Sequence, residues 1–150
     1  AGRSLRVERE FDFLCSIEGA LVSGQVDLWI EDGDRGVLVD YKTDNVTAAQ
    51  APPRAEEYAV QLQLYALALR ASGRKVDEAW LFFVRPAVRV AVDLSPNRLE
   101  EAIEAVGNLN RAQASRSFPL LTGEHCRRCT YYRGACPAQL PPAGQLSLFA

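Results

Sequence analysis

The sequence has no methionine, one histidine and four cysteines among 150 residues. No apolar run approaches the ~20 residues needed to cross a bilayer. That absence excludes a helical membrane span. Nothing at the start resembles a signal peptide, so the expected location is the cytoplasm. The missing methionine fits either an excised initiator or an excerpt from a longer polypeptide. Charge of one sign is also scarce: the formal net charge is −2, so bulk electrostatics do not advertise a nucleic-acid binder. Four cysteines in a cytoplasmic protein point to metal or cluster binding, or to plain burial, rather than to disulfides. What is present, 48% apolar residues over this length, suits one soluble domain around one hydrophobic core.

Strand-like alternation opens the chain. Between Leu5 and Ile17, Phe11, Phe13, Cys15 and Ile17 share one side, and Glu10, Asp12, Leu14 and Ser16 share the other. Leu21 to Ile30 reads as a second strand. "EDGDRG" at 31–36 reads as a hairpin turn, and Gly36 to Lys42 as a third strand antiparallel to the second. After "VTAAQAPPR", Pro53 or its neighbours open a helix from Arg54 to about Ser72, closed by Gly73. Tyr58, Gln61, Leu62, Tyr65 and Leu69 lie on one face of that helix and Val60, Leu64 and Leu67 on another, so it is expected to be mostly buried. Strands follow at Glu78–Val84 and Val88–Leu94, then a helix from Pro96 to Ser115 behind Ser95. The order βββ-α-ββ-α describes an α/β (α+β) mixed sheet with helices against it.

"GQVDLWI" and "GVLVDYKTD" put Asp27 and Asp40 inside the most strand-like segments, with Lys42 two residues after Asp40. Desolvating such groups costs several kcal/mol unless they are paired or hold a cation. Two aspartates on adjacent strands, a backbone carbonyl and waters make an oxygen-rich site suited to Mg²⁺. Strand period two turns Lys42 to the same face as Asp40, where its ammonium could orient water or offset charge on a phosphate oxygen. The plainer reading is two surface aspartates with a salt-bridged lysine. Gly24, three residues before Asp27, would let another backbone approach closely. Gln61, among Tyr58, Leu62 and Tyr65, needs a hydrogen-bond partner.

With "YAVQLQLYALAL" added, these motifs resemble the PD-(D/E)XK nuclease superfamily, in particular the RecB/AddA-type nuclease domain at the C-terminus of bacterial recombination helicase–nucleases. The resemblance covers roughly residues 8 to 137. It implies a restriction-endonuclease-like PD-(D/E)XK core with a C-terminal Cys-cluster segment, comprising residues 1–137, and a Pro-rich tail at 138–150 that is expected to be poorly ordered. By position it makes Asp27, Asp40 and the Tyr41 carbonyl metal ligands for Mg²⁺ or Mn²⁺ and Lys42 the catalytic lysine. Gln61 and Tyr65 match the Q-x-x-x-Y helix motif lining the same cleft. Related domains carry a further His or Glu ligand on an upstream helix. Here Glu10 matches their E-x-x-F element instead, and the only histidine, His125, lies elsewhere. The chain is therefore expected to be a C-terminal piece that binds metal weakly and cleaves poorly or not at all by itself.

"HCRRCTYYRGACP" spaces Cys126, Cys129 and Cys136 as C-x₂-C-x₆-C, a pattern suited to a soft metal or an iron–sulfur cluster. In some helicase–nuclease relatives a similar triplet joins an upstream cysteine around a [4Fe–4S] cluster. The fourth ligand is open between a cysteine upstream of Ala1, Cys15 and His125, and zinc is the runner-up occupant. Arg111, Arg116, Arg127, Arg128 and Arg133 cluster late in the chain. Arg127, Arg128 and Arg133, with Arg85 and Arg89, are candidates for DNA contact against the plain reading of a solvated surface. The expected function is Mg²⁺-dependent DNA cleavage of the exonuclease type in a double-strand-break-processing helicase–nuclease. Its expected partners are DNA, the helicase portion of the same parent chain and a second helicase–nuclease subunit. The alternatives are a non-catalytic DNA-binding or scaffolding module that keeps the nuclease fold, and a small zinc-binding structural domain.

Overall fold

Three strands form the expected meander: β1 (Leu5–Ile17), β2 (Ala20–Asp32) and β3 (Arg35–Lys42), each antiparallel to the next. The computed structural model describes residues 5–120, 122–131 and 134–136. Both hairpins close in two residues. Glu18 and Gly19 adopt φ +49° and +75°, and Gly33 adopts φ +63°, the left-handed values that let a short turn follow the twist of its strands. The second turn is thus shorter than the span 31–36 read from sequence.

β4 (Glu78–Phe83) lies parallel to β3, and β5 (Val88–Val92) antiparallel to β4, giving a five-stranded sheet in sequence order. A parallel neighbour requires a crossover. It is supplied by α1 (Ala51–Glu56) and α2 (Ala59–Ala71), and α3 (Pro96–Ser115) follows β5. Leu62, Ala66 and Leu69 of α2 join Val26, Trp29, Leu38, Leu81 and Phe83 of the sheet in one core, each almost fully buried. Odd and even positions of β4 divide cleanly, Ala79, Leu81 and Phe83 buried and Trp80 and Phe82 half-buried on the other face.

The single helix expected from Arg54 to Ser72 is two helices. The N–H groups of Glu57 and Tyr58 donate to carbonyls three residues back, Arg54 at 3.3 Å and Ala55 at 3.0 Å, which tightens the chain into a 3₁₀-like turn between them. Neither glycine nor proline marks that turn, so nothing in the pattern announced it. The second buried face expected on this helix is likewise only partial: Leu64 and Leu67 are half-buried and Val60 is 44% exposed.

Register between β3 and β4 is fixed where α2 returns to the sheet. The Asp77 N–H donates to the Gly36 carbonyl at 2.8 Å, and the Gly36 N–H donates to Asp77 Oδ2 at 2.6 Å. The Trp29 indole N–H reaches the Lys75 carbonyl at 2.7 Å. A Cβ at position 36 would fall 1.9 Å from that same carbonyl oxygen, so only glycine lets the two backbones meet there. With this register, Asp40 stands beside Leu81 and Lys42 beside Phe83, at the C-terminal end of β3.

The chain divides into two units, Ala1–Arg111 and Ala112–Ala150. The first holds the sheet. In the second, Glu124–Arg128 forms a 3₁₀ turn carrying Cys126. The tail at 138–150 and Arg133 lie outside the described residues, as does the Arg128 side chain.

Candidate active site

β2 and β3 bring the two aspartates together, but not by plain alternation. Val26 and Trp29 are both fully buried although three residues apart, so the inward-facing side of β2 changes between them. The β1–β2 ladder skips the Glu10–Asp27 pair at this point, and Glu10 takes φ +49°. A left-handed conformation costs a non-glycine residue ~1–2 kcal/mol, and the chain bears it directly opposite Asp27. Asp27 then reaches across to β3, where its Oδ2 accepts the Tyr41 N–H at 2.8 Å.

Asp40 is 4% exposed. Burial pushes its carboxyl above the ordinary aspartate value, Lys42 pulls the other way, and the charge of Asp27 adds to the rise. Lys42 Nζ lies 2.7 Å from Asp40 Oδ2, an ion-pair distance. Beyond that ion pair, Asp40 Oδ2 is the one buried side-chain oxygen or nitrogen among the described residues that makes no hydrogen bond. A carboxylate oxygen with one such contact keeps acceptor capacity for a further electropositive partner.

The ammonium of Lys42 is held from α2 as well. It donates to Gln61 Oε1 at 2.8 Å, and Gln61 Nε2 donates to the Tyr65 hydroxyl at 2.9 Å. The partner that Gln61 was expected to need is therefore the lysine, relayed from the tyrosine. Tyr65 in turn packs edge-on against Phe13, with ring centroids 5.0 Å apart. Both rings crowd Gly24, whose added Cβ would meet Phe13 Cε1 at 2.8 Å and Tyr65 Cε1 at 2.9 Å. What approaches Gly24 is thus a pair of aromatic rings, not the backbone expected from sequence. Gly24→Ala is expected to displace Tyr65, destabilise the protein by about 1–3 kcal/mol and slow any Lys42-dependent reaction severalfold. Denaturant melts and rates measured side by side check both effects.

Tyr58, Asp44 and Arg54 belong to the same neighbourhood, yet the sequence reading gave none of them a role. Lys42 Nζ sits 4.2 Å from the Tyr58 ring centroid. The Tyr58 hydroxyl accepts from Arg54 Nη2 at 2.8 Å and lies 3.1 Å from each Asp44 oxygen. Arg54 Nε closes the triangle on Asp44 Oδ1 at 2.7 Å. Burial opposes ionisation of Asp44, but the hydrogen bonds from Arg54 and Tyr58 outweigh it and hold the carboxyl below its usual range. The usable signal was "DYKTD", which sets a second aspartate two residues beyond the lysine.

Cys126 is buried, Cys129 exposed and Cys136 half-buried. Cys126 Sγ lies 3.4 Å from the Gly123 N and 3.6 Å from His125 Nε2. Among the described residues no three His, Cys, Asp or Glu side chains converge as a ligand set, so the structure assigns neither cluster nor zinc to the cysteines. Cys15 is half-buried on β1, and burial raises its thiol above the ordinary value. Arg127 is exposed, Arg85 Nε donates to the Thr43 carbonyl at 3.1 Å, and Arg89 stacks 4.9 Å from the Trp80 ring centroid.

No helix among the described residues is long and apolar enough to cross a membrane. The chain resembles an ATP-dependent helicase/nuclease polypeptide from Listeria monocytogenes, with 41% identity over 73 residues, 44% of this chain and 6% of that protein. The protein of the same name from Carboxydothermus hydrogenoformans is 42% identical over 76 residues, 50% of this chain and again 6% of the relative. The matched region is thus a small fraction of these relatives' length. In fold the chain matches the crystal structure of SSO0001, with a TM-score of 0.57 and 16% identity over 90% of this chain and 62% of that one. The family model of the PD-(D/E)XK nuclease superfamily matches residues 2–137. A mixed sheet carrying Asp27, Asp40 and Lys42, with that match over nearly its whole length, makes this chain a member of the PD-(D/E)XK nuclease superfamily.

Proposed function

We propose that this chain is a divalent-metal-dependent DNA nuclease, hydrolysing phosphodiester bonds as an exonuclease module of a helicase–nuclease in double-strand-break repair and recombination. The observation that carries the reading is a buried carboxylate, Asp40, set beside the charge of a second one, Asp27, with Oδ2 making no hydrogen bond beyond its ion pair with Lys42. Hard oxygen donors on adjacent strands fit Mg²⁺ or Mn²⁺, which needs only one or two carboxylates when waters and substrate phosphate supply the rest. Asp27, Asp40 and the Tyr41 carbonyl would hold the ion, which supplies water activation and polarisation of the phosphoryl group when bound.

The chain's own residues do the rest. Gln61, anchored by Tyr65, accepts a hydrogen bond from the Lys42 ammonium and helps keep it at Asp40. That fixed positive charge can then meet the negative charge that grows on a phosphate oxygen. The Asp27 contact to the Tyr41 N–H ties the two strands at the level where a phosphate would sit. Relatives named as helicase/nuclease subunits support DNA as substrate, a helicase portion in the same polypeptide and a partner polypeptide alongside it. Arg127, Arg128 and Arg133 are the candidates for guiding the strand.

Linear DNA incubated with Mg²⁺ and the polypeptide that carries this chain together with its helicase portion tests this. Asp40→Ala and Lys42→Ala should each lose cleavage by at least roughly 100-fold while still binding DNA. Equal cleavage by all three proteins would reject the assignment.

A further inference from the structure

Lysine carries its charge on a flexible four-carbon stem, so an ammonium that must stay at one point needs restraint from several directions. Two polar restraints on Lys42 are the Asp40 carboxylate at 2.7 Å and the Gln61 amide oxygen at 2.8 Å. The third direction is closed by an aromatic face, the Tyr58 ring at 4.2 Å. A cation held over such a face is attracted by the ring quadrupole, the more so where water is excluded. The side chain of Lys42 is only 13% exposed.

Tyr58 is itself held unusually firmly for a residue in a helix break. Its hydroxyl is locked between Arg54 and Asp44, which are ion-paired with each other at 2.7 Å. Asp44 follows Lys42 by two residues on the same chain, and Arg54 precedes Tyr58 by one helical turn. The 3₁₀-like turn at Glu57–Tyr58 therefore ends with the ring fastened to the segment just beyond the strand that carries the lysine.

We infer that Tyr58, braced by Asp44 and Arg54, is a positioning residue that holds the Lys42 ammonium at Asp40. The inference rests on the nuclease reading given above and extends it to residues outside the D-x-K and Q-x-x-x-Y motifs. The ring supplies the restraint, and the hydroxyl supplies only the fastening. Replacing the ring should therefore hurt far more than removing its oxygen.

The chain has two lysines, Lys42 and Lys75, which makes the test direct. Lys75 pairs with exposed Asp34 at 2.9 Å and serves as the internal reference. In protein labelled with ¹³C-lysine, the Lys42 ε-methylene protons should be shifted upfield of those of Lys75 by the ring current. Tyr58→Phe should keep that shift, and Tyr58→Leu should abolish it. In DNA cleavage with Mg²⁺, Tyr58→Leu should lower kcat roughly 10- to 100-fold with KM within about twofold, whereas Tyr58→Phe should stay within about threefold of wild type. An unshifted Lys42 signal in the wild-type protein overturns the inference whatever the activity, and needs no variant to fold. A shifted signal with full kcat in Tyr58→Leu also overturns it while leaving the nuclease reading intact. If the wild-type polypeptide with its helicase portion cleaves no DNA, the nuclease reading fails on its own account, and the lysine spectrum alone decides whether Tyr58 holds the ammonium.

Discussion

Asp40→Asn should yield a protein at least as stable as wild type without metal, indifferent to Mg²⁺, and roughly 100-fold or more slower in cleavage. Each part follows from the environment of one side chain. Asp40 is 4% exposed, and burial outweighs Lys42 in setting its ionisation. A carboxyl whose folded value lies above its unfolded one favours the native state most at acid pH. That contribution is lost as pH rises through the folded value. Above that value the ionised group therefore weakens the metal-free protein, and an uncharged amide of the same shape relieves it. A Tm in chelator at least equal to that of wild type is expected.

Metal reverses the comparison. A divalent ion bound only by the native state at ~10 times its dissociation constant stabilises by about 1.4 kcal/mol, or roughly 3–6 °C for a chain of this size. Wild type should show that rise in Mg²⁺ and Asp40→Asn should not. Scanning calorimetry of both proteins, with and without Mg²⁺, measures the whole pattern. An Mg²⁺-dependent rise that survives in Asp40→Asn would remove Asp40 from the ligand set.

The contrast between what the sequence disclosed and what it withheld has a physical basis. Asp27, Asp40 and Lys42 stood out because charge is costly inside an apolar strand, and the period of two predicted which of them share a face. Gln61 stood out for the same reason on a helix, and its partner proved to be Lys42. Tyr58 did not stand out, because an aromatic residue on a helix face looks like ordinary core. Its role depends on a helix break made by two i→i+3 hydrogen bonds, with no glycine or proline to mark it. The left-handed Glu10 opposite Asp27 was equally silent, since the period of two has no term for a residue that turns the wrong way. That Asp40 Oδ2 makes no hydrogen bond beyond its ion pair with Lys42 is a property of positions in space and has no linear trace. Gly24 gave the right signal, a need for room, with the wrong claimant.

The second large effect lies away from the reacting groups. Trp29→Ala should destabilise the protein by about 3–5 kcal/mol, a substantial part of the roughly 5–15 kcal/mol typical of a domain. Trp29 is fully buried, pairs with Leu38 across β2 and β3, and donates to the Lys75 carbonyl at 2.7 Å. Truncation leaves a cavity in the core and removes the indole N–H from that carbonyl. Trp29→Phe separates the two contributions, since it fills most of the volume and loses only the donor, for an expected cost of roughly 1–3 kcal/mol. Urea melts with unchanged slope would give both values. The consequence for the site follows from register. Lys75 abuts Gly36, whose pairing with Asp77 starts the β3–β4 ladder that sets Asp40 beside Leu81. Trp29→Phe should keep the Mg²⁺-dependent rise in Tm, because the ladder survives. In Trp29→Ala the rise should shrink, because loosening the Lys75–Gly36 contact lets β3, and with it Asp40, move relative to Asp27. An undiminished rise in Trp29→Ala would show instead that the two carboxylates are held together by β2 and β3 alone.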